Sequence, residues 1–278
     1  MKVTVLVENG IKESTEGNLK TKHGLSLYIE NKNQKILFDV GPNKLFAQNA
    51  KKLKIDLADV DYAVISHAHY DHGGGLKHFL SINSKAKIIL HGSSLNGFYN
   101  KVLGFIPFYI GLDRKLIKNN IKRFQFLDED LILPEGLSVL VNMPNNFPRP
   151  PSNKSLYKKF GKKMVRDDFD HEIILLVKED NGTVLFSGCS HSGVLNIIGK
   201  STRRLGKEKL KAFIGGLHLK NPKNEKDIDE IEQLSFRLNQ IDTNYYTGHC
   251  TGVETISHLR SHCGERINGM NTGDVLII

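Results

Sequence analysis

Tryptophan is absent from this chain of 278 residues, and cysteine occurs only three times. The cysteines, Cys189, Cys250 and Cys263, are odd in number and share no repeated spacing. That argues against a disulfide framework and fits a reducing compartment, so any special cysteine here is a chemical one. Long apolar runs are missing too. Ile173 to Val177 and Val275 to Ile278 are strand-sized, far short of the roughly 20 residues that cross a bilayer, so no membrane span is expected. The opening Met1 to Gly10 has one lysine, a short β-branched stretch and Glu8 but no long apolar centre, unlike a signal peptide. A cytoplasmic location is the expectation.

Hydrophobic residues at 39% and charged residues at 25% disfavour intrinsic disorder, collagen-like repeats and a coiled coil. Lysine and arginine number 39 against 30 acidic residues, and the formal charge of +9 favours anionic partners. A phosphate-bearing small molecule satisfies that charge as readily as nucleic acid. Helix-turn-helix, zinc-finger and aromatic RNA-binding signatures are missing, so no specific nucleic-acid binding is expected. The unusual excess is twelve histidines.

The first 40 residues read as a β-meander, with strands at Val3 to Val7, Leu25 to Ile29 and Lys35 to Asp39. Helical spacing follows over Lys44 to Lys54, then a short buried strand at Tyr62 to Ser66, a helix from Gly73 to Leu80 and a strand at Ala86 to Leu90. Phe98 to Gly111 is aromatic and reads as irregular. Asn142 to Asp170 holds four prolines and the basic cluster Lys154, Lys158, Lys159, Lys162, Lys163 and Arg166, and reads as a structureless lid or insertion. Its charge reads first as a solvated face and second as a rim that attracts phosphates. Asn181-Gly182 marks a hairpin between Glu172 to Val177 and Thr183 to Ser187. Helices at Val194 to Leu205, Glu225 to Leu238 and Val253 to His262 then alternate with strands at Ala212 to Ile214, Asn244 to Tyr246 and Asp274 to Ile278. With no repeat and no linker, residues 1–278 read as a single mixed α/β domain.

His67-Ala68-His69-Tyr70-Asp71-His72, followed by three glycines, is the strongest signal. Three imidazoles and a carboxylate after a strand suit zinc, iron or manganese. His67 and His69 can chelate one ion, but Asp71 and His72 cannot join them without crowding, so two ions are expected. Further histidines sit in glycine-flanked turns after strands: His191 in Gly188 to Gly193, His218 in Gly215 to Leu219, and His249 in Thr247 to Gly252. Asp39, at a strand end, is a candidate acceptor that orients a ligand histidine, or else a solvent-facing turn residue. His23 is a candidate for facing the site and binding substrate. His78, His91, His258, His262, Cys250 and Cys263 read as surface or packing residues.

Through SHAHYDHGGG, FDVG at Phe38 to Gly41, LFSGCSHSG at Leu185 to Gly193 and TGHCTG at Thr247 to Gly252, the chain resembles the metallo-β-lactamase superfamily over nearly its whole length. GCSHSG, GGLHL and GHCTG resemble its dihydropteroate-synthase-like branch, which includes archaeal enzymes of methanopterin synthesis. The resemblance implies a four-layer αββα sandwich with metal at one edge of two sheets. It implies His67 and His69 as ligands of a first ion, completed by His191 or alternatively His171. It implies Asp71, His72 and His249 as ligands of a second. Cys189 stands where many relatives have a bridging aspartate, and is either a ligand or a buried structural thiol. His218 is a ligand, a general acid or a binder of anionic groups, the last two being preferred.

The function expected is hydrolysis of a phosphate-bearing or other anionic ester-type small molecule. Two divalent ions, zinc first and iron or manganese as alternatives, would generate hydroxide, with Asp71 orienting it and His218 transferring protons. One alternative is synthesis joining a pterin to an aminobenzene ribofuranosyl phosphate, as in the archaeal relatives. Another is a non-hydrolytic metal- or phosphate-binding protein, redox-active through iron near Cys189. Neither substrate nor oligomeric state follows from the sequence.

Overall fold

The computed structural model describes residues 1–11 and 18–278. Alternate residues of a strand point to opposite faces, and in this chain both faces are apolar. In strand Gln34–Phe38, Ile36 and Phe38 join one cluster with Val184 and Phe186 of strand Gly182–Phe186. Leu37 instead joins Phe46 of helix Leu45–Lys52 and Phe79 of helix Leu76–Ile82. Leu185, on the opposite side of the molecule, joins Ile197, Ile231 and Leu259 of helices Val194–Leu205, Glu225–Asn239 and Val253–Cys263. One apolar layer therefore lies between two sheets and one outside each. This is the four-layer αββα sandwich.

The first seven-stranded sheet runs in the order Val275–Ile277, Lys2–Val7, Ser26–Asn31, Gln34–Phe38, Tyr62–Val64, Lys87–His91 and Phe124–Leu127. The second runs Ile267–Gly269, Asn244–Thr247, Leu210–Ile214, Gly182–Phe186, Ile174–Glu179, Leu137–Leu140 and Leu131–Leu133. Gln34–Phe38 and Tyr62–Val64 are parallel, as are Gly182–Phe186, Leu210–Ile214 and Asn244–Thr247. Every histidine-bearing loop singled out above leaves the carboxyl end of one of these strands, where sheets of this kind hold their ligands.

Two segments depart from the sequence expectation. Residues 98–111 are not irregular: Phe98–Val102 and Ile106–Tyr109 pair as a hairpin. Residues 142–170 are not structureless either, because Leu156–Phe160 pairs with both Lys163–Arg166 and Phe98–Val102 in a third, four-stranded sheet. The basic residues that hide these strands from a hydropathy pattern hold them together by other means. Lys101 and Arg166 lie 4.1 and 4.6 Å from the centre of the Tyr157 ring. Helix Arg114–Asn119 and strands Phe124–Leu127, Leu131–Leu133 and Ile267–Gly269 are too short to show periodicity and were not expected. No helix among the described residues is long and apolar enough to cross a membrane.

Candidate metal centre

Loops from both sheets bring His67, His69, His72, His191, His218 and His249 together, with His23 and His171 beside them. Ring centres of His67 lie 4.6, 4.1 and 4.8 Å from those of His69, His72 and His191. His249 is 4.9 Å from His72, and His218 is 4.1 Å from His191. Asp39, Ser190, His218 and His249 hold left-handed φ values of 59, 59, 50 and 51°. Non-glycine residues rarely adopt that conformation, and it gathers at functional sites. Gly188 is required by proximity: a Cβ there would meet the Ser66 hydroxyl at 2.1 Å and the His67 ring at 3.0 Å.

His67, His69 and His191 lie ring against ring, with centres 4.6–4.9 Å apart, while the ligand atoms of His69 also lie within 4.8 Å of those of Asp167 and His171. The Nε2 atoms of His67, His69 and His191 are buried and have no hydrogen-bond partner. Burial holds His69 down to about 3 and, with neighbouring histidines, takes His67 and His191 well below the usual histidine range. Burial therefore favours the neutral ring at all three, and the Nε2 atoms are left without a partner in the chain, as metal coordination requires. His191 Nδ1 lies 2.9 Å from Asn153 Oδ1, whose amide also donates to the His191 carbonyl at 2.8 Å, leaving Nε2 as the free donor atom. His171 differs. Its Nδ1 accepts the Ala68 N–H at 3.0 Å and its Nε2 faces Asp167 at 3.2 Å, so both ring nitrogens are used in bracing the His67 to His69 turn.

Asp71, His72, Cys189 and His249 form a second group, with ligand atoms all within 4.8 Å of one another. Cys189 stands in the same relation to His67 and His191 and so lies between the two groups. Burial disfavours charge on His72, but Asp39 and Asp71 outweigh it and raise its pKa to about 9. Burial likewise opposes charge on Asp71, yet His72, His23 and His249 hold its carboxyl well below the usual range. The Cys189 thiol is pushed well up by burial and by the neighbouring Cys250. Asp39 is fully buried rather than solvent-facing. It accepts from His72 Nδ1 at 2.6 Å and from the Ser66 N–H and hydroxyl at 2.7 Å each, which aims His72 Nε2 at Cys189 and His249.

His23 is more exposed, 3.3 Å from Asp71, with its ring tilted against that of His249 at 4.7 Å between centres, at the edge of the cluster. Both ring nitrogens of His218 are buried and unpartnered. Cys250, read from sequence as a packing residue, has its Sγ within 4.8 Å of ligand atoms of Cys189 and His218 and accepts the His218 N–H. His78, His91, His258 and His262 join no candidate ligand group among the described residues.

Four supporting residues escaped sequence reasoning. Glu8 accepts the His249 N–H, and Asn9 bonds both the ring and the carbonyl of His249 at 3.0 and 2.8 Å. Asn153 does the same for His191. Glu172 accepts the N–H groups of His191 and Ser192 at 2.7 Å each, and burial raises its pKa. Glu172 has one sequence signal, as an acid directly before a buried apolar strand. The asparagines have none, since their partners are 240 and 38 residues away.

Residues 20–147, which include the His67 to His72 motif, match the family model described as the metallo-beta-lactamase superfamily. A 7,8-dihydropterin-6-methyl-4-(beta-D-ribofuranosyl)-aminobenzene-5′-phosphate synthase of Methanocaldococcus jannaschii is 29% identical over 273 residues, covering 92% of this chain and 90% of the relative. The crystal structure of Tm1679, described as a metal-dependent hydrolase of the beta-lactamase superfamily, shares the fold at a TM-score of 0.81 and 24% identity, covering 100% of this chain and 99% of that one. Zinc-bound PqqB from Methylobacterium extorquens is similar at a TM-score of 0.57 and 10% identity, with 100% of each chain covered. The sequence match through the histidine motif and the sandwich shared over the full chain point the same way: over residues 20–147 this chain is similar in sequence to the metallo-beta-lactamase superfamily, and it has that fold throughout.

Proposed function

We propose that the protein is a metal-dependent hydrolase of a phosphate-bearing or other anionic ester-type small molecule. His67, His69 and His191 would hold one divalent ion and Asp71, His72, Cys189 and His249 a second, with zinc the best match to these donors. The observation that supports this reading is the set of three buried, unpartnered Nε2 atoms beside the acid- and thiol-bearing cluster. Bound ions would supply Lewis acidity and lower the pKa of water.

The chain's own groups supply the rest. Asp71, kept ionised by three histidines, can orient a water by accepting its hydrogen bond. Asp39, Asn9 and Asn153 fix the tautomers of His72, His249 and His191. His218, with two buried unpartnered nitrogens, can carry a proton to a leaving group. Zinc-loaded protein is expected to hydrolyse bis(4-nitrophenyl) phosphate, with turnover abolished in His69→Ala and Asp71→Ala. Unchanged activity in either variant refutes the reading.

The Methanocaldococcus relative supports a second reading, formation of a carbon–nitrogen bond between a pterin diphosphate and an aminobenzene ribofuranosyl phosphate. Pyrophosphate release that requires both compounds, without phosphodiester cleavage, would favour it over hydrolysis.

A further inference from the structure

Next to the metal centre is a cavity of about 540 Å3, within the roughly 300–1,000 Å3 of small-molecule sites. Its apolar wall includes Pro148 and Pro151, Leu217 and Leu219 on either side of His218, and Ile231 and Leu234 of helix Glu225–Asn239. The proline rings are rigid and lose no rotamer freedom when a flat group lies on them.

The charged part of the lining is out of balance. Arg149, Lys220, Lys223 and Arg237 all line the cavity, and none is within 4.0 Å of a carboxylate among the described residues. Arg149 Nε is buried with no hydrogen-bond partner. The two acids in the wall are turned to other tasks: Asp227 accepts the Lys223 N–H at 2.9 Å, and Glu230 lies 3.9 Å from Lys226. Helix Val194–Leu205 also starts at this wall, on Gly193, with no side-chain cap and no acid in its first turn. Such an end favours an anion. Four cations without a carboxylate partner, one of them Arg237 over the Phe147 ring at 5.8 Å, outnumber the two acids and leave the wall positive, and a guanidinium matches phosphate geometry.

The cavity wall is bonded to the metal centre. Ser152 donates its hydroxyl to the His218 carbonyl, and the next residue, Asn153, holds the His191 ring. We infer that this cavity binds an organic phosphate with a flat apolar body, seating the body on the prolines and leucines and the phosphate among Arg149, Lys220, Lys223 and Arg237. That this molecule is the substrate rests on the hydrolase reading, whereas its binding does not.

Calorimetric titration of the purified protein with 1-naphthylphosphonate, which has no cleavable ester, tests the assignment. It is expected to bind at least tenfold more tightly than inorganic phosphate or 1-naphthol. Arg149→Ala, which removes a cation, and Leu234→Trp, which fills the space from another element, are each expected to weaken it tenfold or more. Binding should persist in His69→Ala. Loss in His69→Ala with both cavity variants unchanged would put the phosphonate on the metal centre and overturn the assignment, as would equal binding of the three probes. Tight naphthylphosphonate binding in a protein that hydrolyses nothing would reject the hydrolase reading and leave the cavity assignment standing.

Discussion

Replacing Asp39 by Asn tests how the second ligand set is held. The carboxylate accepts three hydrogen bonds at 2.6–2.7 Å in a fully buried setting, from the Ser66 N–H, the Ser66 hydroxyl and His72 Nδ1. An amide of the same shape has one acceptor oxygen and an NH2 group. The Ser66 N–H needs the oxygen, so the NH2 must face the Ser66 hydroxyl and His72. His72 Nδ1 must then accept, which moves the ring proton to Nε2. That atom lies 3.2 Å from Cys189 Sγ and 3.1 Å from His249 Nε2 and would lose the lone pair it offers an ion. A charge-assisted hydrogen bond is worth about 1.5–3 kcal/mol. Removal of a carboxylate behind a ligand histidine costs about 10- to 100-fold in metal affinity, a similar energy. Zinc titration of the metal-free variant against a competing chelator should therefore show the second dissociation constant raised about 10- to 100-fold and the first unchanged. Two unaltered constants would refute this account of Asp39.

The asparagine clamps should separate the two sites in the same titration: Asn153→Ala is expected to weaken the first ion and Asn9→Ala the second, each by about tenfold. Equal weakening of both ions by each variant would count against separate ligand sets. Protons should compete with the second ion for His72 and for the Cys189 thiol, whose pKa is pushed well up, so its affinity should still be rising with pH as it passes about 9; a flat profile from pH 6 to 9 would contradict this. In the metal-free protein, His72 has a folded pKa raised above its unfolded value near 6.5, so its stabilising contribution is full below about 6.5 and lost as pH rises through about 9. His69, with a folded pKa of about 3, acts in the opposite sense and lowers stability as pH falls below about 6.5. Denaturation midpoints of wild type and His69→Ala across that range measure the difference.

Much of this was legible because the candidate metal ligands sit in short, local motifs. His67 to His72 is one continuous run, and each later histidine follows a strand and a glycine, so pattern and position pointed the same way. The strands were visible as short, continuous apolar runs because side chains on both faces are buried, as in Ile36, Leu37 and Phe38. What stayed hidden depends on long-range pairing. Glu8 reaches His249 from 241 residues away, and nothing near Asn153 signals its bond to His191. The third sheet was missed because Leu156–Phe160 and Lys163–Arg166 are basic, Phe98–Val102 and Ile106–Tyr109 are largely aromatic and without a clear alternation, and cations on the Tyr157 ring help hold them. The difference between His171 and His191 was hidden as well, since only the fold shows that both ring nitrogens of His171 have partners while Nε2 of His191 has none.

The central claim, that these loops hold two ions, is tested most directly by metal content per chain, from elemental analysis of protein purified without added metal, a histidine tag or a chelator. Two ions per chain are predicted, falling to one or fewer in His69→Ala. One ion or fewer in the wild type, not restored to two by added zinc, iron or manganese, would contradict the account.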